Sequence, residues 1–185
     1  MITPHNPQVV HSAKKHAVFC GRFSPLHRGH EAVIARMLKD WGYTHSLLVI
    51  GSVNVPLSPR NVFSPREREH LIQRVFPGMK MVFAPDYESD DQWFHELNHA
   101  LKGAGVNPLT SVYFAGSKDD VPFFFRARRA VTIINRYDGT TPVISGTDVR
   151  HALSWGQSIS HLVNPAIERD IRALFAKNSY ENEPK

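Results

Sequence analysis

Residues 16–30 read His16-Ala-Val-Phe-Cys20-Gly21-Arg22-Phe23-Ser-Pro-Leu-His27-Arg28-Gly29-His30, and their order decides how the rest of the chain is read. His16 to Cys20 is a short apolar run that stops at Gly21, the pattern of a buried strand. After a turn containing Pro25, a helix is predicted from about Gly29 to Trp41, with Ile34, Met37, Leu38 and Trp41 at the i, i+3, i+4, i+7 spacing of one buried face. Gly42 supplies its stop. A strand leading through a tight turn into a helix is the first half of a β-α-β unit, which builds parallel sheets.

The chain beyond repeats this alternation. Ser46-Leu-Leu-Val-Ile50 reads as a second strand, followed by a loop rich in Pro and Ser that reaches Phe63. Ser64-Pro65-Arg66-Glu67 predicts a helix start: Ser and Glu form a capping box, and Pro sits where its missing N–H costs nothing. Met79 to Ala84 reads as a third strand, and Asp90 to Lys102 as a helix with Trp93, Leu97, Ala100 and Leu101 inward, closed by Gly103 and Gly105. Ser111 to Ala115 and Ala130 to Ile134 read as the fourth and fifth strands. Ser145 to Asp148 opens a further helix, and Asn164-Pro165 a last one carrying Ile167, Ile171, Leu174 and Phe175 on one side. The expected fold is α/β, a Rossmann-like, doubly wound, parallel five-stranded sheet with helices on both faces. Residues 1–15 are expected to be a flexible tail, 16–177 one domain, and 178–185 a polar C-terminal tail.

Composition narrows the function classes. The 185 residues are 42% hydrophobic, enough for one core, and carry a net charge of +5 with eleven histidines. That charge favours an anionic partner, but no basic block stands out, which points to a phosphorylated small molecule and away from nucleic acid. No apolar run reaches membrane-span length and the start lacks a signal peptide's apolar stretch, so no membrane partner and a soluble cytoplasmic protein are expected. The one cysteine, Cys20, excludes an internal disulfide and a thiolate metal site.

The stretch at Gly21 to His30 also carries chemistry. It lies where ligands bind in open α/β sheets, and the first turn of the following helix offers unpaired N–H groups and partial positive charge to a phosphate. His27 and His30, three apart, can face one point, with Gly29 between them clearing space for a ligand. Ile144-Ser145-Gly146-Thr147-Asp148-Val149-Arg150 supplies a second helix start with two hydroxyls and, one turn on, a cationic fork. On its own this second segment also reads as a capping box beside a solvated arginine.

Together these segments resemble the His-x-Gly-His and Ile-Ser-x-Thr-x-x-Arg motifs of the nucleotidyltransferase superfamily. Gly51-Ser52, Ser58-Pro59-Arg60-Asn61-Val62-Phe63-Ser64, Pro85-Asp86-Tyr87, Asp90-Asp91-Gln92-Trp93 and Gly116-Ser117-Lys118-Asp119 are similar to segments of archaeal-type nicotinamide mononucleotide adenylyltransferases, a domain also found fused to Nudix domains. The departures are Val62 for proline, Ser89 for asparagine, and Gly116 followed directly by Ser117. The resemblance implies transfer of AMP from ATP to nicotinamide or nicotinate mononucleotide, giving NAD or its acid form and pyrophosphate. His27, His30 and Arg150 would be catalytic. Gly21, Arg22, Phe23, Gly29, Ser117, Lys118, Ser145, Gly146 and Thr147 would bind ATP and its phosphates. Gly51, Ser52, Arg60, Asp86, Asp90 and Trp93 would bind the acceptor, although helical spacing suits Trp93 equally to core packing. Magnesium would be bridged by phosphates and held by no protein cage, and a homo-oligomer is expected. Rival readings are transfer to another phosphorylated acceptor, such as phosphopantetheine, FMN or a cytidylyltransferase substrate, and a non-catalytic nucleotide-sensing module.

Overall fold

The computed structural model describes residues 15–116, 121–134 and 142–181, without the side chains of residues 121, 122, 125, 180 and 181. Five strands, β1 Ala17–Gly21, β2 Ser46–Ile50, β3 Lys80–Phe83, β4 Val112–Ala115 and β5 Ala130–Ile133, form one sheet in the order β3-β2-β1-β4-β5, every pair parallel. Among the described residues six α-helices connect and cover it: α1 Arg28–Trp41, α2 Pro65–Val75, α3 Asp90–Gly103, α4 Val121–Arg126, α5 Gly146–Ser154 and α6 Pro165–Glu181.

Strand side chains alternate between two cores. Ala17, Phe19, Leu48 and Ile50 face α1, α2, α5 and α6, whereas Val18, Leu47, Val49 and Tyr113 face α3 and α4. With both faces covered, β2 reads as an unbroken buried run, Ser46 to Ile50. The expected doubly wound sheet is therefore present. Strand order runs outward from β1 to β3, then returns to the other side of β1 for β4 and β5. That reversal opens a crevice beside the carboxyl end of β1, which is where this architecture receives ligands.

Two boundaries differ from the sequence reading. The last helix was expected to end near Lys177, but α6 continues to Glu181 and Asn178 is buried. Its Nδ2 donates to Val62 O at 2.7 Å and to Glu67 Oε2 at 2.9 Å, so a polar side chain that looked like fraying is an internal tie to α2 and the loop before it. The short helix α4 was not expected at all. Among the described residues no helix is long and apolar enough to cross a membrane.

Candidate active site

The turn after β1 is built around Phe23, whose φ of 51° lies in the left-handed region. That conformation costs about 1–3 kcal/mol for a non-glycine residue. Burial offsets it: the ring is fully enclosed, edge-on to Phe19 and 4.8 Å from the His30 ring. His27 then caps α1, its Nδ1 accepting from the His30 N–H at 3.3 Å, and the two imidazoles stack with centroids 3.7 Å apart. The pair therefore acts as one unit at the mouth of α1, as the spacing of three predicted. Gly29 is required here. A Cβ would stand 3.0 Å from Ile144 O and 3.1 Å from the His27 ring.

The second helix start meets the first. Ser145 caps α5 in a reciprocal box with Asp148, whose carboxylate accepts from the Ser145 N–H at 2.7 Å. Arg150 Nη1 donates to Ser24 O at 2.7 Å and Nη2 to Thr147 Oγ1 at 3.0 Å. One arginine thus ties α5 to the turn between β1 and α1, across 126 residues of chain. Gly146 lets the backbones close, since a Cβ there would lie 3.0 Å from Ser24 O.

Between the two helix starts lies a cavity of about 310 Å³. Gly21, Arg22, Phe23, His27, Gly29 and His30 line it from the first turn, Ser145, Gly146, Thr147 and Arg150 from the second. His30 and Arg150 therefore face one space. Ser117 and Lys118, also expected there, lie outside the described residues.

Two smaller cavities adjoin it. One, about 190 Å³, is lined by Gly51, Ser52, Asp86 and Trp93, with Gly21 and Arg22 as the wall shared with the first. Trp93 does both things its spacing allowed: it packs edge-on against Phe94 and Phe123, and it presents a surface to this cavity. The other, about 230 Å³, is polar and bounded by Arg22, Arg60, Ser52 and Asp86. Arg60, expected at the acceptor alone, lines the phosphate cavity as well, because its loop runs between the two. Asp90 is absent from the residues lining these cavities; it sits exposed at the start of α3, 3.8 Å from Arg126.

Sequence reading missed four contributors. Phe123 and Phe124, from α4, complete the aromatic wall around Trp93. Asn54 clamps the Asp86 backbone, donating to its carbonyl at 2.9 Å and accepting from its N–H at 2.8 Å. Arg68 is fully buried beneath the site. Sequence analysis singles out nothing at Arg68, and only the fold reveals its burial.

The site is strongly cationic. Desolvation lowers the pKa of Arg22, and Arg60 lowers it further; desolvation, then Arg22 and Arg60, does the same for Arg150. Burial, followed by the charge of Arg22, brings Arg68 down to about 10. A guanidinium keeps its proton at neutral pH, so a bound anion would relieve their mutual repulsion. Among the described residues no three His, Cys, Asp or Glu side chains cluster in a metal-ligating arrangement. Arginines, a histidine pair, hydroxyls and helix N–H groups are donors for phosphate oxygens.

Comparison with known proteins agrees with this fold. The model of the cytidylyltransferase-like family matches residues 18–152, from β1 through the Arg150 helix. The chain belongs to the cytidylyltransferase-like family. Within it, the chain is 26% identical over 159 residues to a nicotinamide-nucleotide adenylyltransferase of Methanoculleus marisnigri, covering 84% of this chain and 89% of the relative. It is 26% identical over 108 residues to a protein of Aliarcobacter butzleri named "Probable nicotinate-nucleotide adenylyltransferase", spanning 58% of this chain and 59% of that relative's length. The fold is also that of a NadR protein solved in complex with NAD and AMP-PNP, with a TM-score of 0.59 at 18% identity, covering 83% of this chain and 46% of the other. The resemblance to nucleotidyltransferases read from the sequence is thereby borne out at the level of the family and its fold.

Proposed function

We propose that this cytidylyltransferase-like protein is a cytoplasmic adenylyltransferase that transfers AMP from ATP to nicotinamide mononucleotide or its acid form. The observation that carries the reading is the single cavity shared by the stacked His27–His30 pair and Arg150, joined through Arg22 to a cavity walled by Trp93. The names of the relatives and the NAD and AMP-PNP bound to the NadR neighbour support it.

In the proposed reaction a phosphate oxygen of the acceptor bonds to the α-phosphorus of ATP while the bond to the pyrophosphate oxygen breaks. The acceptor is already an anion, so no general base is needed, and catalysis lies in alignment and charge neutralisation. The triphosphate lies between the start of α1 and the start of α5. His27 and His30 meet the α-phosphate, and Arg22, Ser145, Thr147 and Arg150 hold the departing pyrophosphate. Arg60, between the phosphate cavity and the polar cleft, is placed to touch both reacting phosphates. The rings of Trp93 and Phe123, set edge to face, offer a pyridine ring an aromatic surface, with Ser52 and Asp86 facing the ribose side. Magnesium belongs to this proposal as the companion of ATP: Asp86 is the carboxylate among the lining residues and stands among arginines, so the triphosphate's own oxygens would carry the ion.

A panel of phosphorylated acceptors, each offered with ATP or CTP and scored by pyrophosphate release, tests the reading. Nicotinamide mononucleotide with ATP should turn over fastest. Preference for phosphopantetheine, FMN or a CTP-dependent substrate would reassign the acceptor, and ATP binding without pyrophosphate release from any pair would reject an enzyme.

A further inference from the structure

Arg68 lies on α2 with none of its surface exposed, and no ion pair among the described residues includes it. Its donors go to main-chain carbonyls instead. Nη1 donates to Arg22 O at 2.8 Å and to Gly51 O at 2.7 Å, Nη2 to Ser52 O at 3.3 Å, and Nε to Ser64 O at 3.4 Å. One guanidinium nitrogen therefore joins the turn after β1 to the turn after β2.

The two carbonyls on Nη1 belong to the peptide units that precede Phe23 and Ser52. Those two residues hold positive φ angles, 51° and 55°, and no glycine eases either turn at that position. A trans peptide is planar, with C=O and N–H pointing in opposite directions. Drawing the carbonyls of Arg22 and Gly51 onto Arg68 turns the N–H groups of Phe23 and Ser52 away from it. Neither N–H donates to a protein acceptor among the described residues. Phe23 lines the phosphate cavity and Ser52 the two acceptor cavities, so each turned amide is an unspent donor beside an anion site.

We propose that Arg68 is a positioning residue that sets both peptide units at once, and so holds the nucleotide and acceptor cavities in register although it touches neither substrate. The proposal takes the contents of the cavities from the transferase reading above, and its geometry from Arg68 alone. A buried guanidinium is the side chain for this task, because its planar fork reaches several fixed acceptors while a lysine ammonium is a single point.

The test is Arg68→Lys, with ATP affinity measured by calorimetry and the acceptor KM by pyrophosphate release. The expected result is a simultaneous rise of about tenfold in both the ATP Kd and the acceptor KM, the scale of losing a charged hydrogen bond at each turn. A purely structural arginine would lower Tm and leave both constants of the folded fraction unchanged, and that result would overturn the proposal. In Arg68→Ala, millimolar methylguanidinium should restore the ATP Kd, a readout that does not need the lysine variant to fold; restored Tm without restored affinity would also count against it. The two readings fail separately. Wild-type protein that binds ATP but transfers to no acceptor removes the transferase reading and leaves the ATP half of this test standing.

Discussion

Gly29→Ala is the substitution whose outcome the geometry specifies most closely. The added methyl would stand 3.0 Å from Ile144 O and 3.1 Å from the His27 ring, a few tenths of an ångström inside ordinary contact. Ile144 precedes the cap of α5 and His27 is the cap of α1, so relief must come from parting the two helix starts or from rotating the imidazole. Either motion shifts a phosphate-binding group relative to its counterpart. A displacement near 1 Å costs about 10²-fold in rate, so a shift of a few tenths should lower kcat about four- to tenfold. Stability should move little or in the opposite direction, because alanine in a helix is favoured over glycine by about 0.5–1 kcal/mol, which offsets the crowding. Steady-state pyrophosphate release and thermal melting on one preparation decide it. The reasoning is refuted if kcat stays within about twofold of wild type, or if lost activity only follows a lower Tm.

Three further outcomes follow from the site. His30→Ala should reduce kcat at least ~10²-fold with the fold intact, as expected for one oriented contact to developing charge, and near-normal turnover would remove the histidine pair from the mechanism. Trp93→Ala should raise the acceptor KM by up to about tenfold and leave the ATP KM unchanged, the scale of one aromatic stacking contact; equal changes in both would make Trp93 a packing residue alone. Asp148→Ala should cost about 0.5–1 kcal/mol at pH 7 through the lost half of the α5 capping box, Ser145 still capping the helix. Hydrogen bonds from the Ser145 backbone and hydroxyl hold the Asp148 pKa below the ordinary carboxylate value. Its stabilisation is therefore complete above the unfolded-chain pKa of about 3.9 and disappears as pH falls through the lower folded value, so the melting curves of the two proteins should converge in acid and stay apart from pH 5 to 8.

What the sequence made legible was what local rules encode. The β1 turn and α1, the Ser64 and Ser145 caps, and the His27–His30 spacing each depend on residues within a few positions, and each appears as expected. The features that escaped are settled by distant partners. Arg68 looks like one more charge in Arg66-Glu67-Arg68-Glu69 until carbonyls 46 and 17 residues away enclose it. Asn178 looks like a frayed end until Val62, 116 residues back, accepts from it. Asp90 was assigned to the acceptor by resemblance; at the exposed first position of α3 its carboxylate stands 3.8 Å from Arg126 on α4, a distant partner no motif encodes, while Trp93 lines the cavity.

The aromatic wall around Trp93 comes from α3 and α4, on the opposite face of the sheet from α1 and α5, which grip the phosphates. Donor handling and acceptor choice are thus written on separate pieces of the molecule that meet only along the strand tips. Exchanging a few rings on one piece would retrain the protein for a different customer without disturbing the machinery that activates the nucleotide, which is how a single scaffold can diversify while keeping its reaction.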